Sequence, residues 1–160
     1  MDLARPKKTG FFFCVIITYM FYSDLTLKAA QISFEAHINQ QDKSDYPYFM
    51  HPMTLALQFD DEESVCVALL HDVIEDHPED YSFEYLEQQG FPKSIVDAIR
   101  LLTHDPRVEY LDYVRSIKDN PIARRVKIAD LKHNMDTRRG GGVKPPKYDL
   151  YQEALKILEE

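Results

Sequence analysis

Apolar residues recur at helical spacing along most of the chain, and capping residues, prolines and glycines interrupt them. Leu25, Ala29, Ile32, Ser33, Ala36 and His37 form one such stripe, and either Ser23 or Asp24 can cap its N-terminus. A polar loop runs from Asn39 to Tyr48. Pro52 then opens a short helix through Leu55, Ala56 and Phe59, because the first helical turn has no use for the missing N–H. The next helix, from about Asp61 to Asp76, is most apolar in its middle, at Val65 to Leu70. Ser82 starts a helix that stops at Gly90, and Pro92 starts another carrying Ile95, Val96, Ile99 and Leu102. Tyr110, Val114 and Ile117 mark a shorter one. Asn120-Pro121 leads into Ile122 to Asn134, and a last helix lies around Tyr151 to Leu158 beyond a flexible linker from Gly140 to Pro146. No stretch alternates as strands do. The spacing predicts an all-α fold, a compact bundle of about seven helices.

Residues 23–160 read as one domain of ordinary size, within a chain of 160 residues. Residues 1–22 stand apart. Lys7 and Lys8 precede an apolar run from Phe11 to Tyr22, as in a signal peptide, but no small-residue cleavage site follows. The run is also shorter than the roughly 20 residues of a membrane-spanning helix. Three readings stay open: an extension packed on the domain, a natural start at Met20, and, least favoured, a membrane or export signal.

The formal net charge of -8 repels a phosphate backbone, so nucleic acid is not an expected partner. A basic patch could gather only around Arg124, Arg125 and Lys127, or Lys132, Arg138 and Arg139. A small anionic substrate remains compatible with this charge, since a bound cation dominates its local field. Cys14 and Cys66 have neither metal nor disulfide spacing and fit a reduced, cytoplasmic compartment.

The segment Leu69-Leu70-His71-Asp72-Val73-Ile74-Glu75-Asp76 carries the clearest chemistry. On a continuous helix His71 and Glu75 are neighbours, as are Asp72 and Asp76, so the four form one polar patch after an apolar stretch. Carboxylates at a helix C-terminus oppose its dipole by roughly 0.3–1 kcal/mol each, which points to a compensating cation rather than to a frayed, solvated end. Asp130 and Asn134 share a helical face with Lys127. Alone, that face reads as a surface ion pair between Asp130 and Lys127 or Lys132. His51, before Pro52, reads alone as a capping or core histidine, as do His37, His77, His104 and His133. Tyr110, Tyr113, Tyr148 and Tyr151 read as packing.

Taken in order, four blocks resemble the hydrolase domain of RelA/SpoT homologues, within the HD superfamily of metal-dependent phosphohydrolases, and most closely its small single-domain members. They are Lys43-Ser44 with Pro47-Tyr48, His51-Pro52, Ala68 to Asp76, and Val126 to Asp130 running into His133-Asn134-Met135. The resemblance covers about Leu27 to Thr137. It implies an HD-type helical bundle with His51, His71, Asp72 and Asp130 as metal ligands, and Mn²⁺ as the usual metal. Two imidazoles and two carboxylates suit a divalent transition metal better than Mg²⁺. It further implies that Glu75 and Asp76 handle the proton of an attacking water. Lys43, Ser44, Tyr48, Asn134 and Thr137 would contact a nucleotide. The implied reaction removes pyrophosphate from the ribose 3′ position of guanosine tetra- or pentaphosphate.

The chain departs from that family at three places. Asp42 stands where an Arg usually precedes the Lys-Ser pair, Asp45 and Tyr46 replace a Gly and an acidic residue, and Asp136 replaces an Arg. These changes touch the recognition of the base and leave the metal residues intact. Two other functions stay open on the residues alone: a nucleotidase of the wider superfamily releasing orthophosphate, and a nucleotide-binding regulator without turnover.

Overall fold

A computed structural model describes residues 21–160. Of the apolar N-terminal run, Phe21 and Tyr22 are exposed and the rest lies outside the described residues. Nine α-helices and one 3-10 turn follow: α1 (Asp24–His37), α2 (Met50–Ala56), α3 (Glu62–Leu70), α4 (Val73–Asp76), α5 (Phe83–Gln88), α6 (Lys93–Leu102), α7 (Tyr110–Ile117), α8 (Pro121–Asn134), the 3-10 turn Thr137–Gly140, and α9 (Tyr148–Glu159). Among the described residues there is no strand, only an isolated antiparallel bridge between Gln41 and Pro47.

Local chemistry sets most of these boundaries. Ser23, not Asp24, caps α1. Its hydroxyl accepts from Thr26 N–H at 3.2 Å, while Thr26 Oγ1 accepts from Ser23 N–H at 2.8 Å. Asp61, Ser82 and Asn120 cap α3, α5 and α8 with side-chain oxygens that accept from backbone N–H groups of the first turn.

Helix α3 is the axis of the fold. Its residues Ser64 to Leu70 are all buried, so it is apolar around its whole circumference and packs against α1, α2, α6 and α8. Leu55, Ile95, Ile99, Val114, Ile117, Val126, Leu131 and Leu158 complete the surrounding core. Helix α9 closes the bundle against α7 and α8 by burying Ala154 and Leu158.

Three local expectations are corrected. The helix read from Asp61 to Asp76 is two helices, with a turn at His71-Asp72 between α3 and α4. Helix α2 starts two residues before Pro52, which still falls in the first turn, so His51 lies inside the helix rather than at its mouth. Finally, the stretch from Gly140 to Pro146 is no simple linker. Gly141 (φ 64) and Gly142 (φ 91) reverse the chain after the 3-10 turn, and Gly142 N–H donates to Thr137 C=O at 2.8 Å.

Candidate metal centre

The break at His71-Asp72 creates the site. On an unbroken helix adjacent side chains diverge by about 100°. Here the turn lets His71 Nε2 approach Asp72 Oδ2 to 2.9 Å. Packing of α2 and α8 on α3 adds the other two groups. His51 Nε2 lies 3.3 Å from His71 Nε2, 3.7 Å from Asp72 Oδ2 and 3.3 Å from Asp130 Oδ1. His51, His71 and Asp130 are buried and Asp72 is half-buried. His51, His71 and Asp72 thus offer ligand atoms close enough to share one ion, and Asp130, from a third segment, reaches the group through His51 Nε2.

The donor set fits a divalent cation. Metal–ligand bonds of about 2.0–2.2 Å put neighbouring ligand atoms about 3 Å apart, near the spacings found here. Hydrogen bonding decides which ring nitrogens face inward. His71 Nδ1–H donates to the Ala68 carbonyl, left open at the end of α3, at 2.9 Å, so its Nε2 is the nitrogen that faces the site. The outer nitrogen of His51, Nδ1, lies 2.6 Å from His133 Nδ1, which Arg139 Nη1 also approaches at 3.2 Å. An arginine can only donate, so His133 Nδ1 accepts from both, and His51 likewise faces the site through Nε2. The two Nε2 atoms, 3.3 Å apart beside the Asp72 and Asp130 carboxylates, are the positions a shared cation would take in place of a proton.

Charges at the site agree. Burial raises the Asp72 carboxyl, but the charge and hydrogen bond of His71 outweigh it and hold it well below the usual carboxylate range. Burial likewise raises Asp130, and Lys127 and His51 overcome that effect. Burial lowers the His71 imidazole, yet Asp72 and Asp130 pull it up to about 9, which shows how strongly the cluster attracts positive charge. Asp130 is no wet surface partner. One oxygen takes Lys127 Nζ at 2.9 Å and the other takes Asn134 Nδ2–H at 2.5 Å, while Lys132 pairs instead with Glu159.

Two cavities meet at this cluster. The larger, about 610 Å³, is lined by Lys43, Ser44, Tyr48, His51, Asn134 and Arg139, among others. The smaller, about 290 Å³, is lined by Asp72, Glu75, Asp76, Lys127 and Asp130. Tyr48, Asn134 and Tyr151 belong to both walls. Tyr48 Oη–H donates to Asp72 Oδ2 at 2.5 Å, and burial followed by the charge of Asp72 keeps that phenol protonated. Glu75 and Asp76 sit together on α4. Glu75 accepts from His104 N–H at 2.8 Å, and crowding that removes water raises its proton affinity. Thr137 opens the 3-10 turn outside the lining of both cavities. Tyr110, Tyr113 and Tyr151, read as packing, also line the smaller cavity.

This arrangement, with a His-Asp pair at a helix break and a distant His and Asp closing on it, agrees with the comparison to known families. The sequence model of the HD domain matches residues 27–135. The chain belongs to the HD domain family. This HD domain is 30% identical over 148 residues to the bifunctional (p)ppGpp synthase/hydrolase SpoT of Escherichia coli, covering 81% of the chain and 20% of that protein. It is 32% identical over 141 residues to the guanosine-3′,5′-bis(diphosphate) 3′-pyrophosphohydrolase of Haemophilus influenzae, covering 79% of the chain and 20% of the relative. The chain thus spans about a fifth of the length of these curated relatives. A solved metazoan SpoT ortholog, described as hydrolysing ppGpp with a role in starvation responses, superposes with a TM-score of 0.64. The two are 25% identical, and the match covers 86% of this chain and 85% of that one.

Sequence reasoning passed over several residues of this HD domain. His133, read alone as a capping or core histidine, supports His51. The signal was its position three residues from Asp130 and next to Asn134, on one helical face. Arg139 stands in the sequence only as part of a candidate basic patch. It ion-pairs with Asp42 at 2.8 Å, and Ser44 Oγ–H donates to its carbonyl at 3.2 Å, so a guanidinium reaches the larger cavity although residue 42 itself is acidic.

Proposed function

We propose that this HD domain is a divalent-metal phosphohydrolase that removes pyrophosphate from the 3′ position of guanosine tetra- or pentaphosphate. His51, His71, Asp72 and Asp130 would hold the metal, with Mn²⁺ as the expected ion. The observation that carries the reading is the convergence of His51, His71 and Asp72 at 2.9–3.7 Å, with Asp130 3.3 Å from His51, beside a cavity of about 610 Å³. The kinship with pyrophosphohydrolases supports the choice of substrate. When bound, the metal supplies Lewis-acid polarisation of a phosphoryl oxygen and a water of lowered pKa.

The remaining work falls to the chain. Lys43, Ser44, Tyr48 and Arg139 line the cavity that would take the nucleoside, and Asn134 stands between the two cavities. Glu75 and Asp76 orient the attacking water and accept its proton from the smaller cavity. Water adds to the phosphorus attached to the ribose 3′ oxygen, the bond between them breaks, and the 3′ oxygen takes up a proton and leaves as the hydroxyl. Thr137, outside both linings, acts on substrate only through the turn that carries Arg139.

Each cation considered for a basic patch is already engaged. Arg124 donates to a carbonyl, and Arg125, Lys127, Lys132, Arg138 and Arg139 pair with carboxylates, which supports a small-molecule substrate over nucleic acid. Among the described residues no helix is long and apolar enough to cross a membrane. A cytoplasmic location belongs to the same reading, and the free, buried thiol of Cys66 fits it.

The test is product analysis with Mn²⁺ against guanosine tetraphosphate, GTP and nucleoside monophosphates. Pyrophosphate should appear from the tetraphosphate, and a chelator should stop it. Asp72→Ala should be inactive and metal-poor, whereas Glu75→Ala should keep its metal and lose about 10²–10⁴-fold in rate. Orthophosphate from monophosphates would instead identify a nucleotidase. Tight binding without turnover across several metals would identify a regulator. Loss of metal from Glu75→Ala would refute the division between ligands and proton-handling groups.

A further inference from the structure

Gln40, one polar residue in the loop after α1, is the junction of three ionisable side chains. Its Oε1 lies 2.7 Å from His37 Nδ1 and 3.1 Å from His77 Nε2, and its Nε2 donates to Asp76 Oδ2 at 2.8 Å. The proton positions follow from the chemistry. An ionised carboxylate only accepts, so the amide nitrogen must face Asp76. The amide oxygen then faces both rings and can only accept, so His37 carries its proton on Nδ1 and His77 on Nε2. Turning the amide over would set its oxygen against the carboxylate and its NH₂ against two ring N–H groups, so only one orientation satisfies all three neighbours.

Main chain and packing hold the junction in place. Gln40 N–H donates to His37 C=O at 3.0 Å, and Gln40 C=O accepts from Tyr48 N–H at 2.9 Å. His37 is buried, with its ring 4.9 Å from that of Tyr48 and 5.3 Å from that of His77. Tyr48 in turn donates to Asp72. Asp76, by contrast, is exposed on a four-residue helix, and its carboxylate would otherwise turn freely in water.

We infer that Gln40 is a positioning residue: locked by His37 and His77, its amide holds the Asp76 carboxylate in the orientation that receives the proton of the attacking water. This rests on the hydrolytic reading above, in which Asp76 faces the reacting water.

Two variants test it. Gln40→Glu keeps the shape and an acceptor for both rings, but withdraws the N–H from Asp76 and sets a second carboxylate beside it. Gln40→Met keeps the length and removes every polar contact. Measured on the full chain with Mn²⁺ and guanosine tetraphosphate, both should retain wild-type metal content and KM. Their kcat should fall about 10–100-fold, the scale of a misplaced catalytic group. Gln40→Glu should melt at the wild-type temperature, which makes it the deciding variant if Gln40→Met folds poorly. An unchanged kcat in Gln40→Glu overturns the inference while leaving the hydrolase intact. Loss of metal or a rise in KM in step with kcat also overturns it, as does failure of both variants to fold, because each makes Gln40 a builder of the site. A wild-type protein that cleaves none of the phosphates is a separate result, which removes the hydrolytic reading and the inference with it.

Discussion

Lys127→Met removes a cation from a nearly buried pair while keeping most of its volume. The side chains of Lys127 and Asp130 are 13% and 7% exposed, with Nζ and Oδ2 2.9 Å apart, so solvent screens the pair little. The rings of Tyr110 and Tyr113 lie 6.0 and 5.5 Å from the ammonium. Removing one partner of such a pair strands the other and destabilises by about 3–5 kcal/mol. Asp130 keeps Asn134 at 2.5 Å and His51 at 3.3 Å, which places the expected loss at the lower end, about 3 kcal/mol. For a chain of this size that is about 10 °C in melting temperature.

The pH dependence follows from the direction of the shifts. Burial opposes the charge on Asp130, but Lys127 and His51 hold its folded-state carboxyl well below the ordinary value. Its contribution is therefore complete above the unfolded carboxylate pKa and disappears only as pH falls through the lower folded value. Lys127, disfavoured by burial but raised well above its ordinary value by Asp130, contributes fully below the unfolded lysine pKa. The gap between wild type and variant should thus be flat from about pH 5 to 9 and narrow toward strong acid. Urea denaturation in the presence of a chelator measures it. Saturating Mn²⁺ should also narrow the gap by supplying charge to Asp130. A loss below about 1 kcal/mol at neutral pH without metal, or a gap that widens in acid, would refute the electrostatic account.

Two further changes probe the supports of the site. His133→Phe keeps a ring but removes the acceptor for His51 Nδ1–H, and should weaken metal binding about 10–100-fold in chelator competition, with helix content unchanged by circular dichroism. Burial, together with the charges of His51 and Arg139, holds the His133 imidazole down to about 4, so the effect should not vary across neutral pH. Equal metal affinity in the variant would mean that something else orients His51. Asp45 adopts φ 62, a left-handed conformation that favours glycine, so Asp45→Gly should stabilise the chain by about 0.5–1 kcal/mol in urea denaturation; destabilisation would show that the aspartate side chain supports the loop.

Helix positions were legible in the sequence because they depend on near neighbours. The caps at Ser23, Asp61, Ser82 and Asn120 lie within three residues of the N–H groups they satisfy. The apolar run at Val65 to Leu70 likewise marked the most apolar helix, which is the buried α3, and the ordered His, His-Asp and Asp blocks pointed to side chains that lie near its end. The break after Leu70 was not legible. Apolar and acidic residues continue in helical register through it, and the side chains that meet the turn, His51 on His71 and Tyr48 on Asp72, come from a segment that no local window contains. The partners of the site were hidden for the same reason. Gln40 meets Asp76, Arg139 meets Asp42 and His133 meets His51 only after the helices pack. Helical periodicity is a property of adjacent turns, whereas a hydrogen bond between distant residues exists only once burial has brought their helices together.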